Sequence, residues 1–139
     1  MINKFNDDTY YLSNFSPYPV KYNGVAYKNA EAAFQAQKCI KPDDRLLFAD
    51  LDSSQAKKLG RKISLRPDWE FCKVNIMREI VQAKFNQNAD LRERLLSTGD
   101  EYLEEGNDWG DRIWGTVDGK GANLLGLILM ELRTQFRCK

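Results

Sequence analysis

The run from Asp68 to Phe85 constrains this chain more than any other stretch. Phe71, Val74, Met77, Ile80, Val81, Lys84 and Phe85 recur at intervals of three and four residues, the period of a helix with one buried face. Arg66-Pro67 precedes it, Asp68 is placed to cap it, and Asn86-Gln87-Asn88 ends it. It is read as the central core helix, with the remaining elements arranged around it.

Those elements follow from local signals. Phe5 to Leu12 holds the β-prone run Thr-Tyr-Tyr-Leu and ends in the polar turn Ser13-Asn14-Phe15-Ser16-Pro17. Tyr18 to Tyr22 alternates as a strand does, and Asn23-Gly24 before Val25-Ala26-Tyr27 is a strong two-residue hairpin signal. Asp43 to Asp50 reads as a short helix, and Ser53-Ser54 can cap another running through Ala56, Leu59 and Ile63. Ala89 to Leu96 is amphipathic and is stopped by Ser97-Thr98-Gly99, while Asp100 to Glu105 reads as a strand. Asp118-Gly119-Lys120-Gly121 turns the chain, and Asn123 can begin a last helix from Leu124 to Arg133 that is apolar nearly all round and so expected to be buried. The fold class expected is α+β: a compact, mainly helical single domain over residues 1–139 with a small antiparallel hairpin. No repeat, linker or low-complexity segment divides it.

The stretch with chemistry along one side is Tyr27 to Lys38. Asn29 is its expected N-cap, and the helix is expected to run to Cys39 or Lys41, since Pro42 biases its predecessor away from helix. Glu31, Gln35 and Lys38 fall on one stripe, beside an apolar stripe of Ala30, Ala33 and Phe34. A charged stripe that borders the buried face tends to line a cleft. At ~1.5 Å rise per residue the Glu31 and Lys38 Cα atoms stand roughly 10 Å apart, too far for an easy ion pair but enough for a sugar between carboxylate and ammonium. The same residues also suit an ordinary solvated face.

Composition narrows the chemistry. The 139 residues are 42% hydrophobic and 29% charged, with a formal net charge of +1, an ordinary globular balance that can bury a core without disulfide or metal support. There is no histidine, which removes Ser-His and Cys-His dyads and most transition-metal sites, and leaves acid-base work to Asp, Glu, Lys, Tyr, Cys or water. Cys39, Cys72 and Cys138 are an odd, widely spaced set that suggests reduced thiols. No cofactor and no metal are expected. No apolar run approaches the ~20 residues that span a bilayer, and the first residues lack a signal-peptide core, so no membrane partner and a cytoplasmic location are expected.

Two further stretches carry functional signals. Lys57, Lys58, Arg61 and Lys62 make a basic helix that can meet phosphates or simply face water, and Arg61 can grip a phosphate bidentately. The loop Gly106-Asn107-Asp108-Trp109-Gly110-Asp111-Arg112, followed by Ile113-Trp114-Gly115, is richer in tryptophan, glycine and acid than packing requires. Ser13 and Asn14 fit turn chemistry, and Trp69 fits either core packing or an aromatic wall.

In order and spacing these pieces resemble the NADAR superfamily, which includes the YbiA-like N-glycosidases, from about Phe5 to Phe136. The matching segments are Leu12-Ser13-Asn14-Phe15-Ser16; Tyr27, Asn29-Ala30-Glu31 and Phe34-Gln35-Ala36-Gln37-Lys38; Ala56-Lys57-Lys58-Leu59-Gly60-Arg61; Trp69, Met77 and Lys84-Phe85; Leu96 and Thr98-Gly99-Asp100; Asp111-Arg112-Ile113-Trp114-Gly115; and Gly121-Ala122-Asn123-Leu124-Leu125-Gly126. The additional Trp109-Gly110 departs from the pattern, and Glu104 or Glu105 stands at the equivalent acidic position. The resemblance implies cleavage of the bond between C1′ of a ribose and the nitrogen of a base, on phosphoribosylated riboflavin-pathway intermediates or ADP-ribosylated guanine. Carried over by position it implies Glu31, Lys38, Asp111 and Trp114 as catalytic residues, with Ser13, Asn14, Gln35, Arg61, Trp69 and Asn123 as substrate-binding neighbours.

The residues agree with that chemistry. Breaking an N-glycosidic bond builds positive charge on C1′ and the ring oxygen, which a carboxylate such as Glu31 or Asp111 stabilises. Lys38 can hold a phosphate, neutralise the departing base, or attack C1′ as a neutral amine and form a Schiff base. The expected partner is a small nucleotide or ribosyl-base substrate, with an ADP-ribosylated nucleic acid as the alternative. Two rivals stand beside the enzyme: a non-catalytic module binding ADP-ribose or another NAD-derived nucleotide, and a nucleic-acid-associated protein that uses Lys57 to Lys62 to reach a modified guanine.

Overall fold

Where Asn23-Gly24 predicts a hairpin, the backbone forms one. The computed structural model describes residues 1–139, which gather into two units, Asn14–Gln87 and a second composed of Met1–Ser13 with Asn88–Lys139. In the first, β1 (Val20–Tyr22) pairs antiparallel with β2 (Val25–Tyr27), with Val20 opposite Tyr27. Asn23 and Gly24 take φ of 50° and 83°, the left-handed pair that a tight hairpin turn requires. This is the one sheet, in a chain that is otherwise mainly helical.

Three helices complete this unit: α1 (Ala30–Ala36), α2 (Ser53–Gly60) and α3 (Trp69–Gln87), with a 3-10 segment at Pro42–Phe48. Asn29 caps α1 as expected, its side chain accepting from Ala32 N at 2.7 Å. The helix stops earlier than Pro42 suggests. Beyond Ala36 the Lys38 carbonyl accepts from Arg66 N and Cys39 bridges to Leu65, so a tertiary pairing pulls the chain off the helical path. Helix α2 starts from Asp52, not from Ser53-Ser54, because Asp52 and Gln55 satisfy each other's backbone N–H groups in a reciprocal cap. It ends at Gly60, short of Ile63.

The long run does form the longest helix, but its buried face differs from the expected one. Trp69, Ile76, Met77, Ile80, Val81, Lys84 and Phe85 are buried, whereas Phe71 is 94% exposed. Positions two apart on a helix point in nearly opposite directions, and Trp69 is the one turned inward, against Phe34. Asp68 contributes its backbone carbonyl to Phe71 N and Cys72 N, while its carboxylate takes the Arg66 guanidinium at 2.7 and 3.0 Å. At the far end Gln87 donates to Lys21 O and accepts from Lys21 N, both at 2.8 Å, which ties β1 to α3.

The second unit is built on α4 (Ala89–Ser97) and α5 (Leu124–Arg137). Thr-Tyr-Tyr-Leu is not extended: Asp7–Leu12 is a 3-10 helix, because the Thr9 hydroxyl donates toward Asn6 O and Lys4 O and accepts from Asn6 N, closing a local turn. Tyr11 then reaches Arg94 O at 3.0 Å. Residues 100–105 form no strand, only an isolated bridge between Ile2 and Leu103. Helix α5 is one-sided and not buried all round, with Leu125, Ile128, Leu129, Leu132 and Phe136 inward and Leu127 exposed. Arg133 is buried and donates to Thr98 Oγ1 and Glu101 O, both at 2.8 Å, securing the turn after α4. No helix is long and apolar enough to cross a membrane.

Candidate active site

Every residue of α1 is buried, including Glu31 at 8% exposure and Gln35 at 6%. A carboxylate on a buried helix needs partners. The Gln35 side-chain amide donates to Glu31 Oε1 at 2.8 Å, across the single turn that separates them. The helix start is anchored as well, because Glu31 N donates to Asn14 O at 3.1 Å. Asn14 thus reaches Glu31 through its backbone, while its side-chain amide meets Met77 Sδ at 3.2 Å.

Lys38 lies past the end of α1, but Lys38 N still donates to Gln35 O at 3.2 Å, so the turn continues and keeps Lys38 on the same side. Its ammonium sits 6.0 Å from the centre of the Trp69 ring, which in turn tilts against Phe34 at 5.1 Å between centres. Trp69 is 5% exposed, so it serves first as a packed floor under Lys38. Burial pushes the Lys38 pKa down; the Glu31 carboxylate opposes this, and the positive charges of Arg61, Lys73 and Lys57 push it further down. Those three cations are therefore within electrostatic reach of the amine. Arg61 is exposed at the C-terminal end of α2, and Lys57 stands over the Phe15 ring at 5.6 Å.

This assembly of a buried carboxylate, a partly buried amine and nearby cations can meet an anionic group. Lys73 was not singled out by the sequence, although its spacing of one helical turn from Trp69 puts it on the same face. It also pairs with Glu70 at 2.7 Å.

The remaining candidates belong to the second unit. Asp111 Oδ1 accepts from Ile113 N at 3.0 Å and Trp114 N at 2.9 Å, so this carboxylate shapes the Arg112-Ile113-Trp114 turn. Asn107, which sequence reasoning passed over, is the hub of the loop: its amide donates to Glu105 O, Asp111 O and Thr116 O and accepts from Asp111 N. Trp114 is half-buried and Trp109 is exposed. Asn123 stands ahead of α5 with φ of 52°, and its amide serves the segment before the loop, accepting from Glu105 N at 3.0 Å and donating to Leu103 O at 2.9 Å. Of the two alternative acids, Glu104 takes the Thr116 hydroxyl. Ser13 is buried and closes the N-terminal 3-10 helix, with Ser13 N on Tyr10 O at 2.9 Å. No group of three or more Cys, Asp or Glu side chains is arranged to hold a metal ion.

The family model of the NADAR domain matches residues 2–137. The chain belongs to the NADAR family. Among its relatives the N-glycosidase YbiA of Escherichia coli (strain K12) is 40% identical over 134 residues, covering 94% of this chain and 83% of that one. A riboflavin biosynthesis protein of Vibrio vulnificus (strain YJ016) is 38% identical over 132 residues, covering 91% of this chain and 35% of the relative. The solved NMR structure of the E. coli protein YbiA superposes with a TM-score of 0.86 at 36% identity, covering 99% of this chain and 88% of that one. The likeness to YbiA thus extends over nearly all of this NADAR chain.

Proposed function

We propose that this chain is a metal-independent N-glycosidase that hydrolyses the bond between C1′ of a phosphate-bearing ribose and the nitrogen of a base. The observation that carries this reading is that buried Glu31 lies within electrostatic reach of Lys38, whose pKa burial lowers, amid Arg61, Lys73 and Lys57. Two relatives support it, one named an N-glycosidase and one a riboflavin biosynthesis protein. The substrates proposed are ribosylamino-pyrimidine phosphates of riboflavin synthesis, or ADP-ribosylated guanine as free nucleotide or in nucleic acid.

The chemistry proposed uses Lys38 as the nucleophile. Its neutral amine bonds to C1′ while the C1′–N bond breaks, the electron pair leaving with the base, which gains a proton. After one amine proton is lost to Glu31, the nitrogen pair forms the C1′=N bond as the ring C1′–O bond opens, and the ring oxygen keeps that bond's pair and takes the proton back from Glu31, which gives a protonated Schiff base. Water then adds to C1′, and the sugar leaves as the free amine is restored. Glu31 stabilises the positive charge that grows on C1′ and the ring oxygen and receives the proton from the attacking group. Arg61 and its cationic neighbours hold the phosphate. Asp111 and Trp114 are proposed as further contributors on the family motif that they share.

Base release from these substrates, followed by liquid chromatography and mass spectrometry, tests the proposal. Release that disappears in Glu31→Gln, together with a borohydride-trapped adduct that disappears in Lys38→Ala, is expected. Full turnover in both variants, if folded, would sink the assignment. Release without any trapped adduct would replace amine attack by direct attack of water. Saturable ADP-ribose binding with no release from any substrate would make the chain a binding module.

A further inference from the structure

The second oxygen-bearing end of Gln35 is unusual. While the amide nitrogen serves Glu31, Gln35 Oε1 is buried with no hydrogen-bond partner. It lies against Gly60: a Cβ built at Gly60 would stand 2.0 Å from Gln35 Oε1, 2.7 Å from Cδ and 3.3 Å from Cβ. Gly60 is buried within α2 and its φ is not in the left-handed region. Backbone freedom therefore does not explain a glycine here, and in a helix it is a poor choice beside alanine. What it supplies is room for the Gln35 side chain.

The orientation of the amide follows from both neighbours. An ionised carboxylate only accepts hydrogen bonds, so the Gln35 nitrogen must face Glu31, which sends the oxygen toward Gly60. Leaving a buried acceptor unsatisfied is costly, and such groups call for a functional explanation. Resting on the proposed role of Glu31, we propose that Gly60 and Gln35 are positioning residues: α2 offers a bare backbone against which the Gln35 amide is held, and the amide fixes the rotamer of the Glu31 carboxylate that faces the reacting sugar. Gln35 then acts through Glu31 and not as a contact to substrate.

The test combines kinetics with a readout free of activity. Gly60→Ala gains local helix propensity but displaces the Gln35 amide from Glu31, and the atoms nearest the added Cβ are mainly the end of that side chain, so the variant should fold with a melting temperature lowered no more than that of Gln35→Met. Its kcat should fall by about tenfold to a hundredfold with KM nearly constant, as expected for a misplaced catalytic group. Gln35→Met fills similar space without a donor; it should lose as much, and the acid limb of its pH–rate profile should move to higher pH, since the ionised carboxylate has lost a donor. Adding Gly60→Ala to Gln35→Met should cost little more. Separately, the side-chain amide resonances of Gln35 should respond to pH in the unmutated chain and lose that response in Glu31→Gln and in Gly60→Ala. Wild-type kcat in Gly60→Ala, multiplicative losses in the double variant, or a Gln35 amide indifferent to Glu31 would each overturn the inference. If instead no substrate is cleaved, or Glu31→Gln keeps full turnover, it is the glycosidase reading that fails, and the amide resonances still decide whether Gly60 sets the Gln35–Glu31 contact.

Discussion

Lys38 shows at one residue how a site can oppose stability. Burial and nearby cations lower its folded pKa from the ordinary 10.5. Between the two values the unfolded chain binds one proton more than the folded chain, so stability rises with pH; the penalty is full below the folded pKa and gone above the unfolded one. Lys38→Met should therefore raise the melting temperature at pH 7 while abolishing base release, and the gain should shrink as pH climbs from the lowered value toward 10.5. Thermal melts across that range check it, and identical melts at pH 7 would mean that the ammonium is fully solvated. Asp111 makes the contrasting case, because Oδ1 is committed to Ile113 N and Trp114 N. Asn can keep both acceptor contacts and Ala cannot. Denaturant unfolding should show Asp111→Asn close to the parent and Asp111→Ala less stable by about 1–3 kcal/mol. Equal losses would assign the loop's order to the carboxylate charge itself.

At the scale of elements, the legible features were those fixed within a few residues. Asn29 capped its helix, Asn23-Gly24 turned the hairpin, and Gly99 closed α4 with φ of 62°. The missed features depend on partners distant in sequence or on a better local competitor. Pro42 marked where α1 had to have ended, but the Arg66 and Leu65 pairings ended it sooner. Ser53-Ser54 are adequate caps, yet Asp52 with Gln55 satisfies two backbone donors at once. Helical spacing alone admits both Trp69 and Phe71, and only the aromatic contact with Phe34 selects between them. Gly126 extends the same lesson about glycine in helices. A Cβ there would meet Leu103 O at 2.1 Å and the Asn123 amide at 2.4 Å. Backbone cannot swing away as the Gln35 side chain can, so Gly126→Ala should lose about 1–3 kcal/mol by overpacking. Denaturant unfolding of the two alanine variants side by side should separate them, and an undamaged Gly126→Ala would mean that α5 can shift from residue 103.

For the molecule as a whole, motif order made the family and the fold legible before any contact was known, whereas the link from Gly60 through Gln35 to Glu31 was not, since it depends on how closely α1 and α2 approach. Charge also reads differently at this scale. A formal net charge of +1 gives no strong overall field for anions. Any attraction for a phosphorylated substrate must arise locally, from the cations that act on Lys38: Arg61, Lys73 and Lys57. Such an attraction is short-ranged, because charges separated by more than ~10 Å are largely screened at about 0.1 M salt. Raising salt from roughly 50 to 200 mM should therefore lower kcat/KM severalfold for a phosphorylated ribosyl substrate and scarcely at all for its dephosphorylated form. Arg61→Ala should flatten that dependence and raise KM by about tenfold, the equivalent of ~1.4 kcal/mol of binding, and kcat should fall as well, because the Lys38 pKa rises when this cation is removed and less of the neutral amine is present. Steady-state kinetics at several salt concentrations, on the paired substrates, decide the matter. Parallel salt slopes for the two substrates would remove the phosphate from this cluster and leave its cations their effect on the Lys38 pKa beside their own local contacts.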